Sequence, residues 1–370
     1  MIHILSVFGT RPEAIKMAPV VKALTQQAGV ISRVCVTAQH REMLDQVLEI
    51  FSIRPDHDLN IMQERQTLSG VTSSALLGVE RVIKEEQPDW VLVQGDTTTV
   101  LSASLAAYYQ RVKVGHVEAG LRTGDKFHPY PEEINRRLSD VMADLHFAPT
   151  ETARQNLLRE GIDPRGIVVT GNTVIDALLD VVKQVRHSGD NPWRSPELDS
   201  KRIIAVTAHR RENFGEPLQH ICDALLEIAS AHKDDVHIIY PVHRNPNVQD
   251  VVYPRLGKTP NISLVDPVDY RSMVALLDRC YLVLTDSGGL QEEAPSLGKP
   301  VLVLRETTER PEAVEAGTVK IVGTDTRRIV AEASALLDDE QSYLRMARAI
   351  NPYGDGKASG RIVQAIMQYQ

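Results

Sequence analysis

The sequence predicts an α/β protein with two parallel β-sheets, each covered on both faces by helices. The chain has 370 residues, and because domains of roughly 100–200 residues are typical, its length favours two domains. Short apolar runs alternate with helical patterns along the chain, which is typical of parallel sheets buried on both faces. Polar clusters follow nearly every apolar run, at the sheet edge where such proteins bind ligands.

Twelve strands are predicted in two series, separated for the most part by helical stretches of roughly 10–18 residues. The first series is His3–Gly9, Arg33–Ala38, Trp90–Gly95, Lys113–Glu118, His146–Ala148 and Ile167–Gly171. The second series is Arg202–Ala208, His237–Val242, Ile262–Val265, Tyr281–Thr285, Pro300–Leu304 and Val319–Val322. The polar segment 187–201 is predicted to be a linker or a long surface loop, and the domain boundary is expected there or earlier, near Gly171.

Composition narrows the class of protein. The net charge is −8, which argues against a broad nucleic-acid surface, and 42% of the residues are hydrophobic, as in soluble globular proteins. The three cysteines are scattered without metal-ligand spacing, so reduced thiols and no metal are expected. The N-terminus resembles a buried strand rather than a signal peptide, and no run is long enough to span a membrane, so a cytoplasmic protein is expected.

Six polar clusters mark the predicted ligand-binding edge. They are "FGTRPEAIK", "QGDTTT" and "GHVEAGLRTGD" in the first half, and "TAHRREN", "YPVHRNPN" and "TDSGG" in the second. Because the carboxyl ends of parallel strands meet at one edge of a sheet, these clusters predict a binding site.

The stretch Ser287-Gly288-Gly289 favours an anionic ligand, because glycine lets a phosphate approach the free N–H groups at a helix start. The alternative is a Ser N-cap with glycine for close packing. Glu293, about one turn later, is placed to accept hydrogen bonds from ribose hydroxyls. Neither a G-x-G-x-x-G nor a P-loop motif follows a strand, so no nicotinamide cofactor is expected. Cations for a diphosphate are Arg11, Lys16, His209, Arg210, Arg211 and Arg310.

Carboxylates in the first half suggest proton transfer. They are Asp96, Glu118, Glu132 and Glu133. Each is alternatively a helix cap or a salt-bridge partner, and Asp96, which precedes three threonines, is a plausible N-cap.

These motifs, with "TAQHREMLDQVL", "PEEINRR", "GNTVIDAL", "HRRENFG" and "DSGGLQEEAPSLGKPVLVLRETTERPEA", resemble those of the bacterial non-hydrolysing UDP-N-acetylglucosamine 2-epimerases. The resemblance runs from residue 3 to "NPYGDGKAS" near residue 359. It implies the GT-B architecture, with two Rossmann-like doubly wound domains facing a central cleft. By this resemblance, residues 1–171 form a sugar-side domain, residues 172–355 a UDP-binding domain, and residues 356–370 a helix that returns to the first domain.

The resemblance also implies roles for individual residues. Catalysis is assigned to Asp96, Glu118, Glu132 and His209. The UDP moiety is assigned to Arg11, His209, Ser287, Gly288, Gly289, Glu293 and Arg310, with uracil against Val268 and Met273. The sugar is assigned to Lys16, Asp96, Glu118 and Glu132. A second, activating UDP-GlcNAc site is suggested by Gln39, His40, Arg65, Gln66 and His243.

The resemblance implies an isomerase that interconverts UDP-GlcNAc and UDP-ManNAc as a homodimer without a cofactor, for the synthesis of surface polysaccharides. Elimination of UDP to 2-acetamidoglucal followed by re-addition requires no redox step, which agrees with the missing dinucleotide motif. Three alternatives remain open. They are a hydrolysing relative that releases ManNAc and UDP, a GT-B glycosyltransferase, and a UDP-sugar sensor that performs no chemistry.

Overall fold

The computed structural model describes residues 1–38, 41–62, 66–189 and 191–369. The chain divides into two compact units, which are treated separately below. Unit 1 comprises Met1–Asp180 and Tyr353–Gln370, and unit 2 comprises Val181–Pro352. The sequence placed the corresponding boundaries at residues 171 and 355.

Unit 1 contains a seven-stranded parallel sheet within the described residues. Its strands are β1 (Ile2–Phe8), β2 (Val30–Val36), β3 (His57–Asp58), β4 (Trp90–Gln94), β5 (Lys113–Val117), β6 (Leu145–Ala148) and β7 (Ile167–Val169). The strand order is β3-β2-β1-β4-β5-β6-β7. Because the order reverses between β1 and β4, the loops after these two strands diverge and leave a crevice at the carboxyl edge.

Helices lie between these strands, and one follows β7. They are α1 (Arg11–Gln26), α2 (Arg41–Ile50), α3 (Leu68–Glu86), α4 (Thr98–Tyr109), α5 (Glu132–Met142), α6 (Glu151–Arg159) and α7 (Thr173–Ser188). Threonine side chains cap the N-termini of α3, α4 and α6 by accepting a backbone hydrogen bond three residues ahead. The apolar faces of α3 and α4 cover a wholly buried core that β1, β4 and β5 line with Leu5, Val7, Val91, Val93 and Val114.

Unit 2 repeats the plan with six parallel strands within the described residues. They are β8 (Arg202–Thr207), β9 (Val236–Pro241), β10 (Ile262–Val265), β11 (Leu282–Thr285), β12 (Val301–Val303) and β13 (Val319–Ile321). The order β10-β9-β8-β11-β12-β13 places the crevice between β8 and β11.

The remaining helices follow in chain order. They are α8 (Pro196–Asp199), α9 (Glu216–Ala231), α10 (Pro246–Leu256), α11 (Tyr270–Arg279), α12 (Gly288–Glu293), α13 (Pro311–Glu315), α14 (Thr326–Asp338), α15 (Glu340–Ala347) and α16 (Ala358–Gln368). The last of these belongs to unit 1, where it packs against α1. Asp176 of α7 accepts hydrogen bonds from two backbone nitrogens in the first turn of α16, those of Ala358 at 3.1 Å and Ser359 at 2.9 Å.

The α/β class with doubly wound parallel sheets is confirmed, and all twelve predicted strands coincide with observed ones to within a few residues at each end. The sequence missed β3, because a two-residue edge strand has too few residues to show an apolar pattern. Segment 187–201 is anchored on unit 2 by Trp193, which is buried and donates its indole N–H to the Ser272 carbonyl at 2.7 Å. Within the described part of the chain, no helix is long and apolar enough to cross a membrane.

Candidate active site

Glu118 lies at the centre of the polar cluster at the carboxyl edge of the unit 1 sheet. It directly follows β5 and is 9% exposed. Lys16 Nζ of α1 donates to its two oxygens at 2.6 and 2.7 Å, and Asn172 Nδ2 donates to Oε1 at 3.0 Å. Gln94, the last residue of β4, donates to Oε2. Donors from three separate chain segments therefore hold this carboxylate in one orientation.

The backbone of Glu118 is also unusual. Its φ is +67°, in the left-handed region that non-glycine residues rarely adopt. Such conformations cost about 1–3 kcal/mol and persist only where the surroundings enforce them. Here Lys16, Gln94 and Asn172 hold the carboxylate of this residue by hydrogen bonds. This combination of strain and convergent donors is typical of a functional position.

Asp96 lies in the neighbouring turn, after β4. A Cβ built on Gly95, the preceding residue, would lie 3.7 Å from Glu118 Oε2, so the two carboxylate-bearing segments are adjacent. The Asp96 side chain is 28% exposed and pairs with the Arg136 guanidinium, while Asn135 Nδ2 donates to its carbonyl at 2.9 Å. Thr97, not Asp96, caps α4. The N-cap interpretation of Asp96 is therefore wrong.

Glu132 and Glu133 begin α5 and differ in environment. Glu133 is 1% exposed and accepts from the backbone nitrogens of Thr123 at 3.1 Å and Gly124 at 3.2 Å, so it anchors a loop. Glu132 is half-buried and precedes Arg136 by four residues. Because residues four apart share a helix face, Glu132 lies on the side of α5 that faces Asp96.

Arg11 and Glu13 are both in the first turn of α1. Arg11 is half-buried. Glu13 is wholly buried and accepts from the Gly9 and Thr10 nitrogens at 3.1 and 2.7 Å and from Thr97 Oγ1 at 2.7 Å. Burial raises its pKa, although these hydrogen bonds oppose the shift. Sequence reasoning missed Glu13, yet the capping-box pattern Thr-x-x-Glu at residues 10–13 could have found it.

In unit 2, Asp286 organises the loop that carries His209. Asp286 follows β11 and is wholly buried. Its Oδ2 accepts from the backbone nitrogens of His209 and Arg210, both at 2.7 Å, and from Asn213 Nδ2 at 3.1 Å. Its Oδ1 lies 3.6 Å from His209 Nδ1. Burial lowers the pKa of His209, and the nearby Asp286 charge only partly offsets this effect.

The Ser287-Gly288-Gly289 stretch opens α12 as predicted, and Ser287 occupies the N-cap position without a side-chain cap hydrogen bond. A Cβ built on Gly288 would lie 4.0 Å from Nη2 of both Arg210 and Arg310. Two guanidinium groups therefore border the space that this glycine leaves open. Glu292 of α12 pairs with the Arg310 guanidinium and holds it in place.

The residues assigned to the nucleoside lie further along unit 2. Glu293 is buried at the end of α12, and Tyr270 of α11 donates its hydroxyl to Glu293 Oε1 at 3.3 Å. Val268 and Met273 flank Tyr270 in sequence, and both are half-buried. The hydrogen bond from Tyr270 therefore brings the predicted uracil segment next to the predicted ribose ligand.

The predicted regulatory residues are only partly described. Gln39, His40 and Arg65 lie outside the described residues. Gln66 donates to the Ile61 carbonyl at 2.8 Å. His243 is exposed, and its ring stacks on that of His209 with 5.3 Å between centroids.

Several partners of these side chains were not predicted as site residues. They are Gln94, Arg136, Asn172, Asp286 and Glu292. All five lie within quoted motifs, which are "QGDTTT" for Gln94, "PEEINRR" for Arg136, "GNTVIDAL" for Asn172, and "DSGGLQEEAPSLGKPVLVLRETTERPEA" for Asp286 and Glu292. Position in a motif was the only sequence signal for these residues, because the sequence does not show which motifs contact each other in the fold.

The chain was compared with known proteins. The family model described as UDP-N-acetylglucosamine 2-epimerase matches residues 22–367. A UDP-N-acetylglucosamine 2-epimerase of Salmonella typhimurium is 58% identical over 372 residues, covering 99% of each chain. A solved UDP-GlcNAc 2-epimerase from Neisseria meningitidis, bound to UDP-GlcNAc, is 47% identical with a TM-score of 0.88 and covers 100% of both chains. A co-structure with UDP from S. aureus is 50% identical with a TM-score of 0.85, covering 100% of this chain and 97% of that one.

The likeness to solved epimerases supports the GT-B class predicted from the sequence. The family model spans most of the chain, and the identity to characterised relatives exceeds half of all positions. The chain therefore belongs to the UDP-N-acetylglucosamine 2-epimerase family and is an isomerase.

Proposed function

We propose that this protein interconverts UDP-GlcNAc and UDP-ManNAc by eliminating and re-adding UDP. The observation that carries this proposal is the cluster of Glu118, Lys16 and Asp96 at the carboxyl edge of the unit 1 sheet, in a chain of the epimerase family. The relatives from Neisseria meningitidis and S. aureus, which were solved with UDP-GlcNAc and UDP, support the choice of ligand.

The reaction follows from the chemistry of the sugar. C2 is not next to a carbonyl, so direct removal of its proton is unfavourable, but the neighbouring C1 carries UDP, a good leaving group. A carboxylate takes the C2 proton, the C–H electron pair forms the C1=C2 bond, and UDP leaves with the electrons of the C1–O bond. The intermediate is 2-acetamidoglucal. Protonation of C2 on the opposite face, with attack of the UDP oxygen on C1, yields the epimer.

Unit 1 supplies the proton-transfer groups in this proposal. Asp96, Glu118 and Glu132 are the candidate acids and bases, because carboxylates within reach of C2 suit this step. Lys16 holds Glu118 and adds a positive charge beside the sugar. The strained, firmly held Glu118 suits a preorganised base, since little reorganisation is then needed during reaction.

Unit 2 supplies UDP binding in this proposal. Arg210 and Arg310 beside Gly288 suit a diphosphate, because guanidinium groups bind phosphate oxygens through several hydrogen bonds. Glu293 suits a ribose diol, and His209, whose lowered pKa favours the neutral ring, suits a hydrogen bond to the departing phosphate. Arg11 of unit 1 is a further phosphate ligand by its motif.

Deuterium incorporation tests the mechanism. Each turnover exchanges the C2 proton with a side chain, so epimerisation in D2O should place deuterium at C2 of the product. Proton NMR of UDP-GlcNAc incubated with the protein alone records both product and label. Product that keeps a full proton at C2 would contradict elimination, since a hydride relay would retain that hydrogen.

The same spectra separate the alternatives. Free ManNAc with UDP would indicate a hydrolysing enzyme, because water would then have trapped the intermediate. An unchanged substrate would favour a sensor or a transferase that needs an acceptor. UDP-ManNAc as the product supports the epimerase, which would supply ManNAc precursors for surface polysaccharide.

A second element of the proposal is activation by UDP-GlcNAc. The motifs containing Gln39, His40, Arg65 and Gln66, together with His243 beside His209, support it. UDP-ManNAc alone is expected to turn over slowly until a trace of UDP-GlcNAc is added. Initial rates measured with and without that trace decide the point, and equal rates would argue against an activating site.

We also propose a homodimer. Tyr108, Tyr109, Leu138 and Val141 are 61%, 60%, 47% and 76% exposed on the adjacent helices α4 and α5. Large exposed apolar side chains that gather on neighbouring helices are typical of protein contacts. Sedimentation of the wild type and of Val141→Asp would test this face, since a buried charge disfavours association.

A further inference from the structure

We propose that His116 is a positioning residue that fixes the Gly95–Asp96 turn for the epimerisation reaction. The inference rests on the function proposed above. It concerns a buried side chain that contacts none of the residues assigned to substrate and acts through the peptide next to Asp96.

His116 lies on β5 and is wholly buried. Its Nε2 lies 2.7 Å from the Gly95 carbonyl oxygen, and its Nδ1 lies 2.6 Å from Asp140 Oδ1. A carbonyl oxygen and an ionised carboxylate only accept hydrogen bonds, so both ring nitrogens donate. His116 is thus an imidazolium that joins two acceptors on different elements.

The surroundings support the charged form. Burial lowers the pKa of His116, but the charge of Asp140 and the two hydrogen bonds outweigh burial and leave that pKa raised. Asp140 keeps a lowered pKa despite its own burial, because His116 and Arg122 both lie beside it. Arg122 donates to Asp140 Oδ2 at 2.7 Å and to Glu160 Oε2 at 2.6 Å. His116, Arg122, Asp140 and Glu160 therefore form one network of ion pairs, which Arg137 joins at 3.3 Å from Glu160 Oε1.

Both backbone groups of Gly95 are hydrogen-bonded to residues of β5. Its nitrogen donates to the Val117 carbonyl at 3.0 Å, and its carbonyl accepts from His116. Gly95 has φ +80°, a conformation that glycine adopts at little cost. Asp96 is the next residue, so the direction of its carboxylate depends on how this peptide is held.

The other end of the His116 bridge holds α5. Asp140 lies on that helix together with Asn135 and Arg136, which bind the Asp96 carbonyl and carboxylate. The bridge from His116 thus fixes both the turn that carries Asp96 and the helix that contacts it. Loss of the bridge is expected to misplace Asp96 without removing any group that contacts UDP.

His146 provides a matched control. It is the cross-strand neighbour of His116 on β6 and is 2% exposed. Its Nε2 lies 2.7 Å from the Asp140 carbonyl oxygen and its Nδ1 lies 3.2 Å from the Gly166 carbonyl oxygen. It is a buried histidine with two hydrogen bonds, but it does not bond the Gly95–Asp96 turn.

Two amide variants of His116 separate its two hydrogen bonds. The amide of His116→Asn replaces Nδ1 and keeps a donor for Asp140, whereas the amide of His116→Gln reaches the position of Nε2 and keeps a donor for Gly95. Misplacement of a reacting group costs up to roughly 100-fold in rate, so we expect H116N to lower kcat by about 10- to 100-fold with KM nearly unchanged. H116Q should recover a large part of that loss, and H146N should stay close to wild type.

The measurements are kcat and KM for UDP-GlcNAc, UDP affinity by calorimetry and Tm for each variant. A fall in kcat for H116N no larger than that for H146N, or equal losses in H116N and H116Q, would overturn the proposal. If H116N does not fold, His116→Met replaces it. That side chain fills much of the space of the ring but donates to neither Gly95 nor Asp140, so unchanged kcat would equally overturn the proposal. Failure of the proposed function itself is distinguishable, because the wild type would then form no UDP-ManNAc.

Discussion

The loops after β1 and β4 in unit 1 occupy the same topological positions as the loops after β8 and β11 in unit 2, yet the charged groups at the two sheet edges are arranged differently. In unit 1, the Lys16 ammonium and the Arg136 guanidinium converge on acidic groups. In unit 2, the buried Asp286 carboxylate accepts from the backbone of the loop that carries His209. The buried Glu292 carboxylate pairs with the Arg310 guanidinium. Hydrogen-bond donors thus gather around carboxylates at the edge of unit 1, whereas two guanidinium groups border Gly288 in unit 2.

This difference shows how one scaffold supports two tasks. A doubly wound sheet supplies diverging loops at a fixed edge, and the side chains on those loops decide whether the edge presents negative or positive charge. Carboxylates suit proton transfer, and guanidiniums suit a diphosphate. The predictions below test this division, starting from the largest expected effect.

The largest effect is expected for Glu118→Gln in unit 1. The amide keeps the shape of the side chain but cannot take a proton, so the epimerisation rate should fall by roughly 10²–10⁴. UDP affinity should be retained, because the proposed phosphate ligands lie on other residues. Rate is measured by proton NMR and affinity by calorimetry.

Glu151→Gln is the matched control for that variant, because Glu151 is an exposed glutamate of the same unit that pairs with Arg154 on α6. A Glu118→Gln protein that epimerises as fast as Glu151→Gln would break the assignment of unit 1 to chemistry. Loss of UDP binding in Glu118→Gln would contradict the assignment of chemistry to unit 1 and UDP binding to unit 2.

A smaller effect is expected for Arg310→Ala in unit 2. Hydrogen bonds to charged groups contribute up to about 3 kcal/mol, so UDP affinity should weaken by roughly 1–3 kcal/mol, and Glu293→Ala should act similarly. Calorimetry with UDP alone measures the loss. Arg345→Ala, which removes an arginine whose side chain is 73% exposed, serves as the control. Unchanged affinity in both test variants would remove the α12 region from nucleotide binding.

The smallest effect is expected for Asp286→Asn and concerns the pKa of His209. Burial already lowers this pKa below the ordinary value of 6.5, and the Asp286 charge acts in the opposite direction. Removing the charge should therefore lower the pKa of His209 further, so the neutral ring persists to a lower pH. NMR titration of the ring protons, assigned with a His209→Gln protein, measures the shift.

Asp278→Asn is the control for this titration, because Asp278 pairs with Arg186 elsewhere in unit 2. A pKa of His209 that rises in Asp286→Asn, or that does not differ from the control, would contradict the role of Asp286 in tuning this ring.

Local pattern was sufficient to predict twelve of the thirteen strands in the described residues and the edge at which polar residues gather. Buried parallel strands need apolar side chains on both faces, and the turns after them need glycine, proline and capping residues. The strands and the turns can therefore both be recognised in the sequence. Glu13 shows the limit of that reading. Its capping-box pattern is local and visible, but its hydrogen bond to Thr97, 84 residues away, is not.

The sequence by itself determined which segments of this protein form strands, which loops share an edge, and which charges those loops carry. Only the tertiary structure decided which charges meet. Glu118 binds Lys16, 102 residues before it, and Asn172, 54 residues after it. The physical reason is that strand register, helix rotation and the positive φ of Glu118 set the direction of each side chain. These three features depend on packing between elements that are distant in sequence, and a local residue pattern does not report that packing.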